Sequence, residues 1–158
     1  MAYETQSTLP DQDLKTVGEA LQGALLDLVD LSLVAKQLHW NVHGPRFRTL
    51  HFQLDEVVDT ARAYSDTVAE RAAALGIPPD GQAPSVTNGS TLERVAPGPQ
   101  RDTEVVRVML AALATLVGAS RERMASVSGV DPVTEDVFIR LTADLEKHRW
   151  MFAAENSG

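Results

Sequence analysis

The sequence predicts an all-α protein: a bundle of four long helices with a short extra helix in the crossover between the second and third. Three observations predict it. Apolar residues recur at spacings of three, four and seven through four long stretches. Strand-like alternation persists nowhere. The one long interruption, residues 76–101, lies in the middle and holds five of the eight prolines and four of the ten glycines. A chain of 158 residues suits one domain with a real core. Residues 1–10 read as a short flexible arm, 11–156 as the bundle domain, and 157–158 as the C-terminal end.

The first helix is expected over 11–42, where Leu14, Val17, Leu21, Leu25, Leu28, Ala35 and Leu38 form the main stripe. Leu26, Val29 and Leu33 form a second stripe, more apolar surface than one bundle core usually covers. His43-Gly44-Pro45 ends this helix, since Gly suits the cap and Pro cannot continue it. The second helix is expected over 47–75, before Gly76-Ile77-Pro78-Pro79. In the crossover, Ser90-Thr91-Leu92-Glu93 matches a capping box, so a short helix is expected near 91–96. The third helix is expected over 102–127, before Ser128-Gly129. Asp131-Pro132 then supplies an N-cap and a first helical residue for the fourth, which frays near Glu155. Four helices with one long crossover describe a ferritin-like bundle.

Composition removes several function classes. There is no cysteine, which excludes disulfides, thiolate metal sites and thiol nucleophiles. No uninterrupted apolar run approaches the ~20 residues of a membrane span. The first residues lack the basic start and apolar core of a secretory signal. The net charge is −8, which repels a phosphate backbone and draws cations.

The chemistry concentrates in residues 51–70. His51, Asp55, Asp66 and Glu70 fall at about 0°, 40°, 60° and 100° around a helix, on one stripe. His51 and Glu70 are nevertheless about 28 Å apart along the axis, too far to share one ion. The midpoint of 51 and 70 is 60.5, and so is that of 55 and 66. An antiparallel copy of this helix crossing near Thr60 and Ala61 sets His51 opposite Glu70 and Asp55 opposite Asp66, the pattern of a two-fold interface. Imidazole with carboxylates suits iron, zinc and manganese. The plain alternative is a solvated helix face, which Asp59 and Arg62 also share.

The other histidines read less sharply. His39 follows the apolar stripe of the first helix, five turns after Leu21, where a core histidine is the ordinary outcome. His43 reads as a C-terminal cap, and His148 as a surface or packing residue. No Glu-x-x-His occurs, so a di-metal site inside one bundle of the usual kind is absent from the sequence.

KQLHWNVHG (36–44), LHFQLDEVVDTARAYSDTVAERAAALG (50–76) and LEKHRWMF (145–152) together resemble the Dps-type mini-ferritins, the DNA-binding proteins from starved cells. The resemblance covers nearly the whole chain. It implies a hollow homododecamer that oxidises Fe(II), preferentially with hydrogen peroxide rather than oxygen, and stores ferric mineral. It implies ferroxidase sites between subunits, each taking two iron ions. Carried over by position, the ligands are His39, His51 and Asp55 of one subunit with Asp66 and Glu70 of its two-fold mate. It makes Trp40 a redox-active aromatic, with packing at a subunit contact as the alternative. It places an iron-entry pore at Asp131, Glu135 and Asp136, where Asp131 also reads as a plain N-cap.

The family name suggests DNA, yet residues 1–14 carry Glu4, Asp11 and Asp13 with no Lys or Arg, and AAENSG at the C-terminus adds only an acid. DNA binding is therefore not expected, and a nucleoid-compacting role with a secondary metal site is the alternative reading. A cytoplasmic location is expected, with or without nucleoid association.

Overall fold

In the computed structural model, residues 7–155 are described. Residues 1–6 and 156–158 lie outside the described residues, so most of the expected N-terminal arm and the C-terminal end do too. Four long helices are present: α1 over Asp11–Asn41, α2 over Phe47–Ala74, α4 over Asp102–Val127 and α5 over Pro132–Glu155. A short α3 spans Ala83–Gly89 in the crossover. The limits of the long helices agree with the expected ones to within a residue, because the breakers are local: Gly44 and Gly129 take φ of 125° and 73°, a region that favours glycine.

The core is the common interior of the four long helices. Leu21, Leu28, Leu31 and Leu38 of α1 meet Leu50 and Leu54 of α2, Met109 and Leu113 of α4, and Phe138, Leu141, Leu145 and Phe152 of α5, all fully buried. Burial of such side chains, at about 1.5–3 kcal/mol each, is what holds helices of this length together. Among the described residues α4 alone is long and apolar enough by length and composition to cross a membrane. Its buried face, Val105, Val106, Met109, Leu113 and Leu116, belongs to the bundle core, and Arg107, Arg121, Glu122 and Arg123 interrupt the rest.

The crossover departs from expectation. Its helix lies at 83–89, not near 91–96. Asp80 precedes it, accepting from Gln82 N at 3.0 Å and Ser85 Oγ at 2.6 Å, and Pro84 sits in its first turn. The capping-box residues are recruited elsewhere. Thr91 donates its N–H and its hydroxyl to Asp27 Oδ1 of α1, at 2.8 and 2.9 Å, and Ser90 Oγ accepts from Leu92 N. Asp27 is 1% exposed and also pairs with Arg123 of α4 at 2.7 Å. One buried carboxylate thus ties α1, the crossover and α4, and this long-range tie outweighs the local helix signal.

A second departure is a two-residue parallel bridge, β1 (Val42–His43) with β2 (Gln100–Arg101). The turn at Gly44 causes it. A Cβ there would stand 2.8 Å from Asp102 Cγ. Asp102 accepts from Arg46 N at 3.1 Å and Arg46 Nε at 3.2 Å, while Arg46 Nη1 donates to the carbonyl of Glu155 at 3.0 Å. The backbone hydrogen bond from Arg46 leads in holding the Asp102 carboxyl below its ordinary value. His43, read as a helix cap, lies in β1 instead, pairing with Arg101.

Removing the carboxylate in Asp27→Ala leaves Arg123 partly buried and unpaired. We expect a loss of roughly 3 kcal/mol in urea unfolding. A variant as stable as the parent would show that the tie is dispensable.

Candidate metal centre

Among the predicted ligands, His39 and His51 are held first by geometry. They lie on α1 and α2, on either side of the β1 corner. His39 Nδ1 donates to the carbonyl of His51 at 2.7 Å, and His51 Nδ1 donates to the carbonyl of His39 at 3.0 Å. The rings stack at 3.6 Å with 19° between planes. A carbonyl oxygen only accepts, so each Nδ1 carries the proton. In the neutral ring Nε2 then keeps its lone pair, the form in which imidazole binds a metal.

Asp55, one turn after His51, joins them. Its Oδ1 lies 3.3 Å from His39 Nδ1 and 2.5 Å from Lys36 Nζ. The Lys36 hydrogen bond is the main reason its carboxyl sits below the ordinary value; partial burial opposes this, and His39, when protonated, adds to the lowering. Lys36 was not singled out from sequence. The one signal is its place three residues before His39, on the same helix face.

Asp66 and Glu70 stand farther along α2, exposed and without hydrogen-bond or ion-pair partners among the described residues. Among the described residues, no group of three His, Asp or Glu side chains is arranged to hold a metal ion within a single chain. The straight run of α2 explains this: half of the predicted set is at its start and half toward its end. Thr60, at the predicted crossing, is held from within by His148, whose Nε2 lies 2.8 Å from its hydroxyl. His148 is buried at 7% exposure, which pushes its imidazole below the ordinary value. Tyr64 donates to Asp144 at 2.6 Å, and burial, then that carboxylate, pushes its hydroxyl up.

The other predicted positions are scattered. Trp40, beside His39, is 69% exposed. Trp150 is exposed too, at 66%. Asp131 caps α5 through Thr134 N at 3.3 Å and pairs with Arg71 at 2.7 Å. Burial alone would raise its carboxyl, but bonds from Thr134 and Arg71 hold it below the ordinary value. Asp136 pairs with Arg140 at 2.9 Å, and Glu135 lies half-buried in the first turn of α5.

Known proteins resemble this chain in sequence and fold. A family model for the ferritin-like domain matches residues 18–156. The DNA protection during starvation protein 2 of Deinococcus radiodurans is 32% identical, over 98% of this chain and 65% of its own length. The chain thus spans just under two thirds of that relative. The DNA protection during starvation protein of Mycolicibacterium smegmatis is 34% identical, over 95% of this chain and 84% of its own. The solved structure of Mycobacterium smegmatis Dps in its tetragonal form superposes with a TM-score of 0.92 at 29% identity, covering 98% of this chain and 94% of that one. The chain belongs to the ferritin-like proteins, and within them to the Dps-type mini-ferritins.

The reciprocal hydrogen bonds make a direct expectation. At pH 8, long-range nitrogen NMR should find both rings as the Nδ1–H tautomer. A ring whose only proton is on Nε2 would contradict the pairing described above.

Proposed function

We propose that residues 11–156 form one bundle domain that stores and detoxifies iron, oxidising Fe(II) to Fe(III) at sites shared by two copies of the chain. The observation that carries this reading is the reciprocal His39–His51 pairing, which leaves both Nε2 atoms available beside an ionised Asp55. Asp66 and Glu70 complete the set from a two-fold mate, and their unpartnered carboxylates fit that role.

In this reading His39 with the mate's Asp66 and Glu70 takes the first ferrous ion. His51 and Asp55 take the second more weakly, since Lys36 competes for Asp55. Two ferrous ions each give one electron to hydrogen peroxide. The O–O bond breaks, and with two protons two water molecules form, so no hydroxyl radical is released. Iron is the substrate and the stored cargo, and oxygen is the slower oxidant. Few protein ligands per ion leave positions open for the oxidant, as non-haem iron chemistry requires.

The assembly proposed is a hollow homododecamer. Glu135 and Asp136 are offered as entry-pore acids with Asp131, whose carboxylate already serves Arg71 and the helix cap. Trp40 is offered as the redox aromatic, and its exposure next to His39 supports either that or a subunit contact. A cytoplasmic location goes with this role.

Anaerobic ferrous loading followed by peroxide tests the site. His51→Ala and Asp66→Ala should each lose the fast rise of ferric absorbance, by at least tenfold. Mixing the two variants through dissociation and reassembly should restore part of it, because one of the two sites in a mixed dimer is intact. If the separate assembled variants keep the fast phase, the ligand assignment is wrong.

The DNA-binding alternative has little support in charge. At −8 per chain, a shell should give no gel shift with duplex DNA in 50 mM salt at neutral pH. Tight binding under those conditions would reinstate the nucleoid-compacting reading.

A further inference from the structure

After α3 the crossover runs back to α4 through residues 90–101. Its ends are tied: Thr91 donates to Asp27, and Gln100 and Arg101 form β2. Between the ties, Leu92 and Val95 pack against the core from half-buried positions. A cleft of about 360 Å³ lies between this stretch, α1 and α4. That volume falls in the ~300–1,000 Å³ range of small-molecule sites. Its apolar walls are Val34, Leu92, Val95, Val108 and Ala112. On the α4 side the small side chains of Ala111 and Ala112 leave it open. None of the proposed metal ligands lines it.

Four charged residues line the same cleft: Glu93, Arg94, Glu104 and Arg107. Arg107 donates to Glu104 through Nε at 2.9 Å and through Nη2 as well. The charge of Glu93 acts on Arg107 too. Both acids therefore act on one guanidinium. Arg94 is exposed and has no ion-pair or hydrogen-bond partner among the described residues, so it is the uncompensated cation of the cleft. A free guanidinium at the edge of apolar walls fits an anion with an apolar body. A carboxylate presents two oxygens to the guanidinium fork, and a hydrocarbon chain takes the walls out of water. Inorganic phosphate would satisfy Arg94 but leave the walls wet. An alkyl ammonium would cover the walls but repel Arg94.

We propose that this cleft binds a small aliphatic carboxylate, with its charged group on Arg94 and its hydrocarbon against Val95, Val108 and Ala112. The site needs neither iron nor a residue from a second copy, so it stands apart from the ferroxidase reading.

Equilibrium dialysis of radiolabelled octanoate against the iron-free, full-length protein tests it, with helicity of each variant checked by circular dichroism. Uptake should saturate below ~1 mM, near one molecule per chain. Arg94→Gln should weaken it at least about tenfold, the loss expected when a charge-assisted bond is removed. Ala112→Phe fills the cleft and should abolish saturable uptake. Arg94 is exposed, so Arg94→Gln keeps the proposal testable where Ala112→Phe fails to fold. Unlabelled octylamine and inorganic phosphate should each compete far more weakly than unlabelled octanoate. No saturable uptake by the parent would overturn the proposal, and so would parental affinity in Arg94→Gln. Saturable uptake that survives in folded Ala112→Phe would place octanoate elsewhere and overturn it too. Octylamine competing as well as octanoate would leave an apolar cleft without charge selection, and phosphate doing so would leave a bare cation. Either result overturns the assignment.

Discussion

The mutual hydrogen bonds between His39 and His51 are the constraint on which the proposed site depends. Each imidazole is held by the other residue's carbonyl, so neither ring can turn without losing a bond. The two carbonyls belong to the last turn of α1 and the second turn of α2, where carbonyls and ring donors come within reach across the corner. The pairing therefore sets the tautomer and the ring orientation, and it ties the two helices together beside the corner. In a mini-ferritin, those are the properties that two metal-binding imidazoles require.

The corner is braced from outside the site. Gly44 lets the backbone turn so closely over Asp102 that no side chain fits. Arg46 then links that carboxylate to the end of α5. Farther along, Asp27 joins α1, the crossover and α4, and Asp131 joins α2 to the start of α5. Three buried or nearly buried carboxylates hold the connections, while the leucine-rich interior holds the helices. This division leaves much of α2, which carries four of the five proposed ligands, straight and unencumbered on its outer face.

Much of the architecture was legible in the chain because its signals are local. Heptad-like spacing and a glycine or proline at each break act over one or two turns, and they placed α1, α2, α4 and α5 to within a residue. The short crossover helix was misplaced for the opposite reason. Ser90 to Glu93 has the pattern of a cap, but Asp27, 64 residues away, takes the Thr91 donors. The β1–β2 bridge was missed because two residues have no periodicity to read. Lys36 went unremarked because its partner lies 19 residues on, across a turn. Trp150 is exposed in the single chain.

By itself the sequence determined the helical bundle, the absence of thiol chemistry, the acidic charge and the stripe of ligand-type residues about residue 60.5. Those follow from residue type and from helical spacing, which are properties of a segment. Only the tertiary structure decided that His39 and His51 face one another with their Nε2 atoms bare, that Lys36 holds Asp55, and that Asp131 is engaged by Arg71. Those depend on two helices meeting at a given depth and rotation, which packing sets and periodicity does not encode.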